Sequence, residues 1–197
     1  MYIQNALAGI KMLLVLSLIT GALYTSAVTL VGSVFFKNEV NGSLIYDSKG
    51  ALIGSELIGQ KFESERYFWS RPSAANYGTV PSGASNYGYL NPKLKDEVYG
   101  RYETFKKHKN DLKLEDIPSE LLFTSASGLD PDISVEGAKF QVDRIMAARS
   151  LSYDKKPLIN ALIEQLTQKR DLGIFGKERV NVLRLNVELD KLSAGTK

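Results

Sequence analysis

Met12 to Phe36 is a run of 25 residues without a charge, followed by about 160 residues of ordinary soluble composition. As a helix rising 1.5 Å per residue the run spans roughly 37 Å, enough to cross a hydrocarbon core of about 30 Å with some tilt. A cleaved signal peptide would show a shorter apolar core and then a small-residue cleavage site. Thr25-Ser26-Ala27 is a passable site, but the apolar run continues through Val28 to Phe36, which favours an uncleaved anchor. The expected organisation is a short N-terminus over 1–11, a transmembrane helix over 12–36 and a soluble domain over 37–197. Lys11 on one side and Lys37 and Lys49 on the other leave the orientation open.

The soluble part is long enough for one domain with a real core and too short for two. With 25 basic and 22 acidic residues the charge is nearly balanced, and no basic block marks nucleic acid as a partner. Lys106-Lys107-His108-Lys109 reads as a solvated helix end. The chain has no cysteine and one histidine, which excludes thiol chemistry and ordinary zinc sites.

Leu44-Ile45-Tyr46 and Ala51-Leu52-Ile53 flank Asp47-Ser48-Lys49-Gly50, a pattern of strand, turn and strand. Asn91-Pro92 opens a helix with Leu94, Val98, Tyr102 and Phe105 on its apolar stripe. Ser134 caps a second helix, which buries Val135, Ala138, Val142, Ile145 and the stem of Arg149. Pro157 opens a third, ended by Gly173 and Gly176. Val180 to Leu189 alternates apolar and polar residues and is expected to be a strand. The fold class is therefore mixed α/β: one N-terminal transmembrane helix and a single mixed α/β domain.

Catalytic patterns are weak. Gly173-Ile174-Phe175-Gly176-Lys177 has the wrong spacing for a phosphate loop, with Glu178 where Ser or Thr is required. Ser152-Tyr153-Asp154-Lys155 lacks its partner motifs, and Asp130 with Asp132 lacks the further acids of a calcium loop. No catalytic residue, cofactor site or metal site is assigned. Two other features stand out. Ser17, Gly21, Thr25, Thr29 and Ser33 recur every four residues inside the apolar run, a small-residue stripe suited to close helix packing. Two polar loops, Arg71 to Tyr89 and Thr124 to Ser134, are rich in Gly, Ser, Asn and Pro. Candidate partner contacts on them are Arg71, Tyr77, Ser85, Asn86, Tyr87, Tyr89, Ser127 and Asp130. The tyrosines favour a partner for the first loop. For Ser127 and Asp130, partner contact and simple turn formation both stand.

Taken together, Arg71-Pro72-Ser73-Ala74, Ser82-Gly83-Ala84-Ser85-Asn86, Asn91-Pro92, Thr124 to Pro131, Ile133-Ser134, Gln141, Arg144, Val180-Asn181-Val182-Leu183 and Leu185-Asn186 resemble the C subunit of the Kdp-type potassium-transporting ATPase. The resemblance covers the whole chain. It implies an accessory, non-catalytic subunit of a high-affinity, ATP-driven potassium importer in the bacterial inner membrane. It also implies a cytoplasmic N-terminus and a periplasmic domain. The implied partners are a potassium-conducting A subunit, a P-type B subunit that uses ATP and magnesium, and a small F peptide. The family is described as a catalytic chaperone that raises the ATP affinity of the B subunit. One departure is visible: Asp132 stands where the family often has His. The alternative reading is a membrane-anchored extracytoplasmic enzyme or ligand-binding domain acting alone.

Overall fold

The structure, a computed structural model, describes residues 2–47 and 50–194. It divides into two units, Met1–Leu44 and Ile45–Lys197. In the first, helix α1 (Tyr2–Ser17), a π-helical stretch (Leu18–Tyr24) and α2 (Thr25–Phe35) run on as one helix of 34 residues. It is long and apolar enough to cross a membrane, and none of its residues is buried. The helix begins ten residues ahead of the uncharged run, so Lys11 lies within it. Phe36, with φ −130° and ψ 50°, breaks it before the single turn α3 (Lys37–Val40).

The second unit holds the strand pair β1 (Leu44–Tyr46) and β2 (Leu52–Ser55). Asp47 closes the turn by accepting from the Ala51 amide at 2.7 Å, and Gly50 takes a positive φ of 80°, which glycine adopts readily. Ser48 and Lys49 of that turn lie outside the described residues. After a long irregular stretch come α4 (Pro92–Lys106), α5 (Ser119–Leu122), β3 (Asp132–Ile133), α6 (Val135–Ala148), α7 (Lys156–Leu166), β4 (Val180–Asn181) and α8 (Val182–Ala194). Strands β3 and β4 pair antiparallel, Ile133 opposite Val180. The domain is thus helices with two small two-stranded sheets.

Both expected caps form. The Asn91 side chain accepts from the Lys93 amide at 3.0 Å, with Pro92 in the first turn, and the Ser134 hydroxyl accepts from the Gly137 amide at 2.9 Å. Each cap satisfies an amide that has no partner inside its helix. Two apolar clusters make the core. Ile133, Ala138, Val142, Ile145, Ile159, Ile163, Val180, Leu185 and Leu189 form the larger one with Phe68. Val98 and Phe105 of α4 form the other with Leu112, Ile117, Leu121 and Leu122. Complete burial of one such Ile, Leu or Phe contributes about 1.5–3 kcal/mol.

Two expectations are corrected. Val182 to Leu189 is helix, not strand. Val182, Leu185, Asn186 and Leu189 are buried at helical spacing, and the Asn181 side chain accepts from the Arg184 amide three residues on, as an N-cap does. Alternation misled because Asn186, polar in the pattern, is 2% exposed and belongs to the core. The helix at Pro157 ends at Leu166, not at Gly173 and Gly176, which shape a later turn.

Glu65 to Ser70 has no regular structure, yet Phe68 is fully buried. Its backbone is paired by side chains. Asn186 of α8 accepts from the Phe68 amide at 2.8 Å and donates to its carbonyl at 2.9 Å. Gln141 of α6 does the same for Trp69, at 2.8 and 3.2 Å. Arg144 donates to the Glu65 and Tyr67 carbonyls, and Arg149 to that of Arg66. The Arg144 guanidinium also lies 3.7 Å from the centre of the Trp69 ring. Burial lowers its pKa to about 10, a shift opposed by the nearby Glu65 carboxylate.

Candidate docking surfaces

The first loop is built around Ser73 and Tyr77. The Ser73 hydroxyl accepts from the amides of Ala75 at 3.2 Å and Tyr77 at 2.9 Å. This local turn holds Asn76 and Tyr77 at positive φ, 48° and 59°, a region costly for side chains of this size. The Tyr77 hydroxyl folds back to donate to the Arg71 carbonyl at 2.7 Å. Burial pushes its phenol up to about 12, opposed in part by the positive Arg101. Tyr77 is therefore a brace inside its own loop. Its inner face lines an open cavity of about 410 Å³ with Trp69, Arg101 and Phe105.

The second loop packs on the first. The Ser125 amide donates to the Pro72 carbonyl at 3.0 Å, and the buried Ser125 hydroxyl accepts from Gly128 at 3.0 Å. Gly128 has φ +71°, and a Cβ there would lie 2.7 Å from the Gly83 carbonyl oxygen, so the loops meet backbone to backbone. Arg71 and Asp130 form an ion pair across them at 2.8 Å, and the hydroxyls of Ser85 and Thr124 lie 3.5 Å apart. Asp130 also accepts from the Asp132 amide at 3.1 Å, and Ser127 from Leu129 at 3.1 Å, so both acceptors form turns.

Of the candidate contacts, Arg71, Ser85 and Asp130 come together in the seam between the loops. Ser127 stays local, and Asn86, at φ 54°, is exposed. Tyr87 is half-buried, and Tyr89 is 88% exposed. The sequence reading missed Val80 in this loop and Leu90 just after it, both large exposed apolar side chains. It also missed the support beneath. Glu120 accepts from the amide and hydroxyl of Ser134, at 2.8 and 2.6 Å. Asp132 pairs with Arg179 at 3.3 Å and accepts from Asn181 at 3.3 Å. Burial and then the charge of Asp130 hold the Asp132 carboxyl above its usual range, against the pull of Arg179. Only the matched acid and base types hinted at these pairs, since the partners are far apart in sequence.

Along the apolar N-terminal helix, a four-residue spacing overshoots an α-helical turn by roughly 40°, so a stripe of five would wrap far round the helix. The π-helical stretch Leu18–Tyr24 opposes this drift, because an i→i+5 turn holds more than four residues. Ser17, Gly21, Thr25, Thr29 and Ser33 are thereby kept closer to one side. The widened turns are served from within: Thr20 donates to the Leu16 carbonyl, and Thr25 to those of Gly21 and Ala22.

Among the described residues no group of three or more His, Asp or Glu could hold a metal ion. The family model for KdpC, the K+-transporting ATPase c chain, matches residues 6–191. A potassium-transporting ATPase KdpC subunit from Polynucleobacter asymbioticus is 47% identical over 89% of this chain and 92% of its own length. One from Herpetosiphon aurantiacus is 42% identical over 98% and 97%. Another from Bacillus cereus is 42% identical over 87% and 88%. The family model takes in the N-terminal apolar helix from residue 6, both loops and the side chains that clasp Glu65 to Ser70, and the chain belongs to the KdpC family of K+-transporting ATPase subunits.

Proposed function

We propose that this chain docks its paired loops on the extracytoplasmic mouth of the potassium-conducting A subunit and there caps or gates ion entry. It is a subunit of the potassium-transporting ATPase and performs no catalysis itself, which is the work of the KdpB subunit. Its one N-terminal apolar helix fits the membrane anchoring of a transporter subunit. The observation that carries the proposal is the rigid seam of Arg71–Asp130 and Gly83–Gly128, beside which Tyr89, Val80 and Leu90 stay exposed. A loop fastened at its base while presenting aromatic and aliphatic tips is preorganised for a partner.

The rest of the reading follows from this placement. The N-terminus is cytoplasmic and the domain periplasmic in the bacterial inner membrane. The stripe of Ser17, Gly21, Thr25, Thr29 and Ser33 packs on a neighbouring transporter helix, and the small F peptide completes the complex. ATP and magnesium are used by the P-type B subunit. A chaperone-like rise in that subunit's ATP affinity has to cross the membrane as a coupling between states, because a periplasmic domain does not touch cytoplasmic ATP.

Tyr89→Ala combined with Val80→Ser tests the docking. Co-purification with the large subunits and potassium uptake at limiting potassium should both fall, while the thermal transition of the chain stays put. Uptake and yield at wild-type levels reject the loop as a contact. A reporter active only in the cytoplasm, fused after Lys197, should stay silent, and a strong signal rejects the orientation.

A further inference from the structure

Residues 168–179 form an arm that holds itself together. Gln168 and Arg179 exchange two backbone hydrogen bonds, at 2.8 and 3.1 Å, and Asp171 and Phe175 exchange two more, both at 2.9 Å. Leu172 and Gly173 turn the chain at φ 52° and 78°. Tips of this kind usually carry small polar residues. This one carries Leu172, Ile174 and Phe175, which are 89%, 70% and 60% exposed. Contiguous apolar side chains left in water on a preformed turn mark a contact surface.

The charges around the tip indicate what it touches. Lys169, Arg170 and Lys177 are exposed and make no ion pair among the described residues. Asp171 lies 4.0 Å from Arg179, which leaves Glu178 as the one uncommitted acid of the arm. Apolar side chains ringed by free cations match a lipid surface, where the tip enters the headgroup boundary and the cations meet phosphates. The chain carries its own span, Tyr2–Phe35, and only residues 36–43 separate it from β1. That short tether keeps a bilayer at high effective concentration.

We propose that the tip of Leu172, Ile174 and Phe175 inserts into the headgroup region of a bilayer containing anionic lipid, with Lys169, Arg170 and Lys177 on the phosphates. The proposal rests on the N-terminal helix spanning that bilayer and needs no other subunit. Its test therefore fails independently of docking to the potassium-conducting subunit.

The chain has no cysteine, so Leu172→Cys in the full-length protein gives a single thiol for an environment-sensitive nitrobenzoxadiazole label. The labelled chain is placed in nanodiscs of phosphatidylcholine alone or of equal parts phosphatidylcholine and phosphatidylglycerol. Asp96→Cys, exposed on α4, is the control. In the anionic discs the Leu172→Cys label should shift to the blue. It should be quenched by lipid-borne nitroxide and lose its quenching by iodide, while the control stays open to iodide. Adding Lys169→Glu and Arg170→Glu should abolish the shift. A label open to iodide in both discs overturns the proposal. So does a label shielded from both quenchers, which is the signature of a second protein surface, and so does indifference to the charge reversal.

Discussion

Two segments of the domain solve the same backbone problem in opposite ways. Glu65 to Ser70 has no strand beside it, and side-chain amides and guanidiniums from α6 and α8 take a ladder's place. The arm of 168–179 closes on itself mainly through backbone hydrogen bonds, with the Arg179 side chain also set against Asp171 and Asp132. The first segment is fixed in the core, because the bonds to its Phe68 and Trp69 backbone come from distant helices. The second is free to expose Leu172, Ile174 and Phe175, because the backbone bonds at its tip do not need their side chains. A segment held by others' side chains is a structural part; one held by its own backbone is available for contact.

The strongest way to break the contrast is Asn186→Leu. It keeps the branched outline of the side chain but strands the Phe68 amide and carbonyl in the core. Two orphaned groups should cost on the order of 2–4 kcal/mol, read as a lower thermal midpoint of the full chain in detergent. An unchanged midpoint refutes the strand-mimic role. Asn186→Asp sharpens the result, because it keeps the acceptor for the amide but replaces the donor to the Phe68 carbonyl with an unpaired buried carboxyl oxygen.

Next in size is Gly128→Ala. Its Cβ would crowd the Gly83 carbonyl at a φ that favours glycine, at a cost of about 1–3 kcal/mol. The damage should stay in the seam: uptake and assembly fall further than the midpoint does. A large loss of midpoint without loss of assembly would show the seam to be plain core.

Two pH effects follow in size. Tyr77 keeps its proton to about 12 in the fold, whereas an ordinary phenol loses it near 10. Across that window the unfolded chain holds fewer protons, so stability falls as pH rises. Tyr77→Phe should flatten this slope, measured by denaturant unfolding at each pH. Asp132 is also raised, so its burial costs stability as pH climbs from the ordinary carboxylate value of about 4 through its own higher one. Asp132→Asn should remove that slope. The smallest effect belongs to the arm: Phe175→Ser should move stability by less than about 0.5 kcal/mol, and a larger loss would place Phe175 in the core.

Much of this was legible in the chain itself. The long apolar N-terminal helix, the caps at Asn91 and Ser134 and the stripe of α4 follow from local chemistry, since each depends on residues within a turn or two. The family resemblance came from motifs, and Gln141, Arg144 and Asn186 were among the residues that carried it. Their roles were not legible, because an amide that replaces a strand looks like any polar residue. Similarly, Tyr77 reads as a contact until the fold turns its hydroxyl inward to Arg71.

The sequence by itself determined that an uncharged run precedes one balanced, cysteine-free domain, because charge, length and composition are additive along a chain. Only the tertiary structure decided that Val182 to Leu189 is helix, because alternation and helical spacing coincide there until the burial of Asn186 separates them. It also decided that two polar loops share one seam, because Arg71 with Asp130 and Gly83 with Gly128 are joined by nothing that neighbouring residues encode.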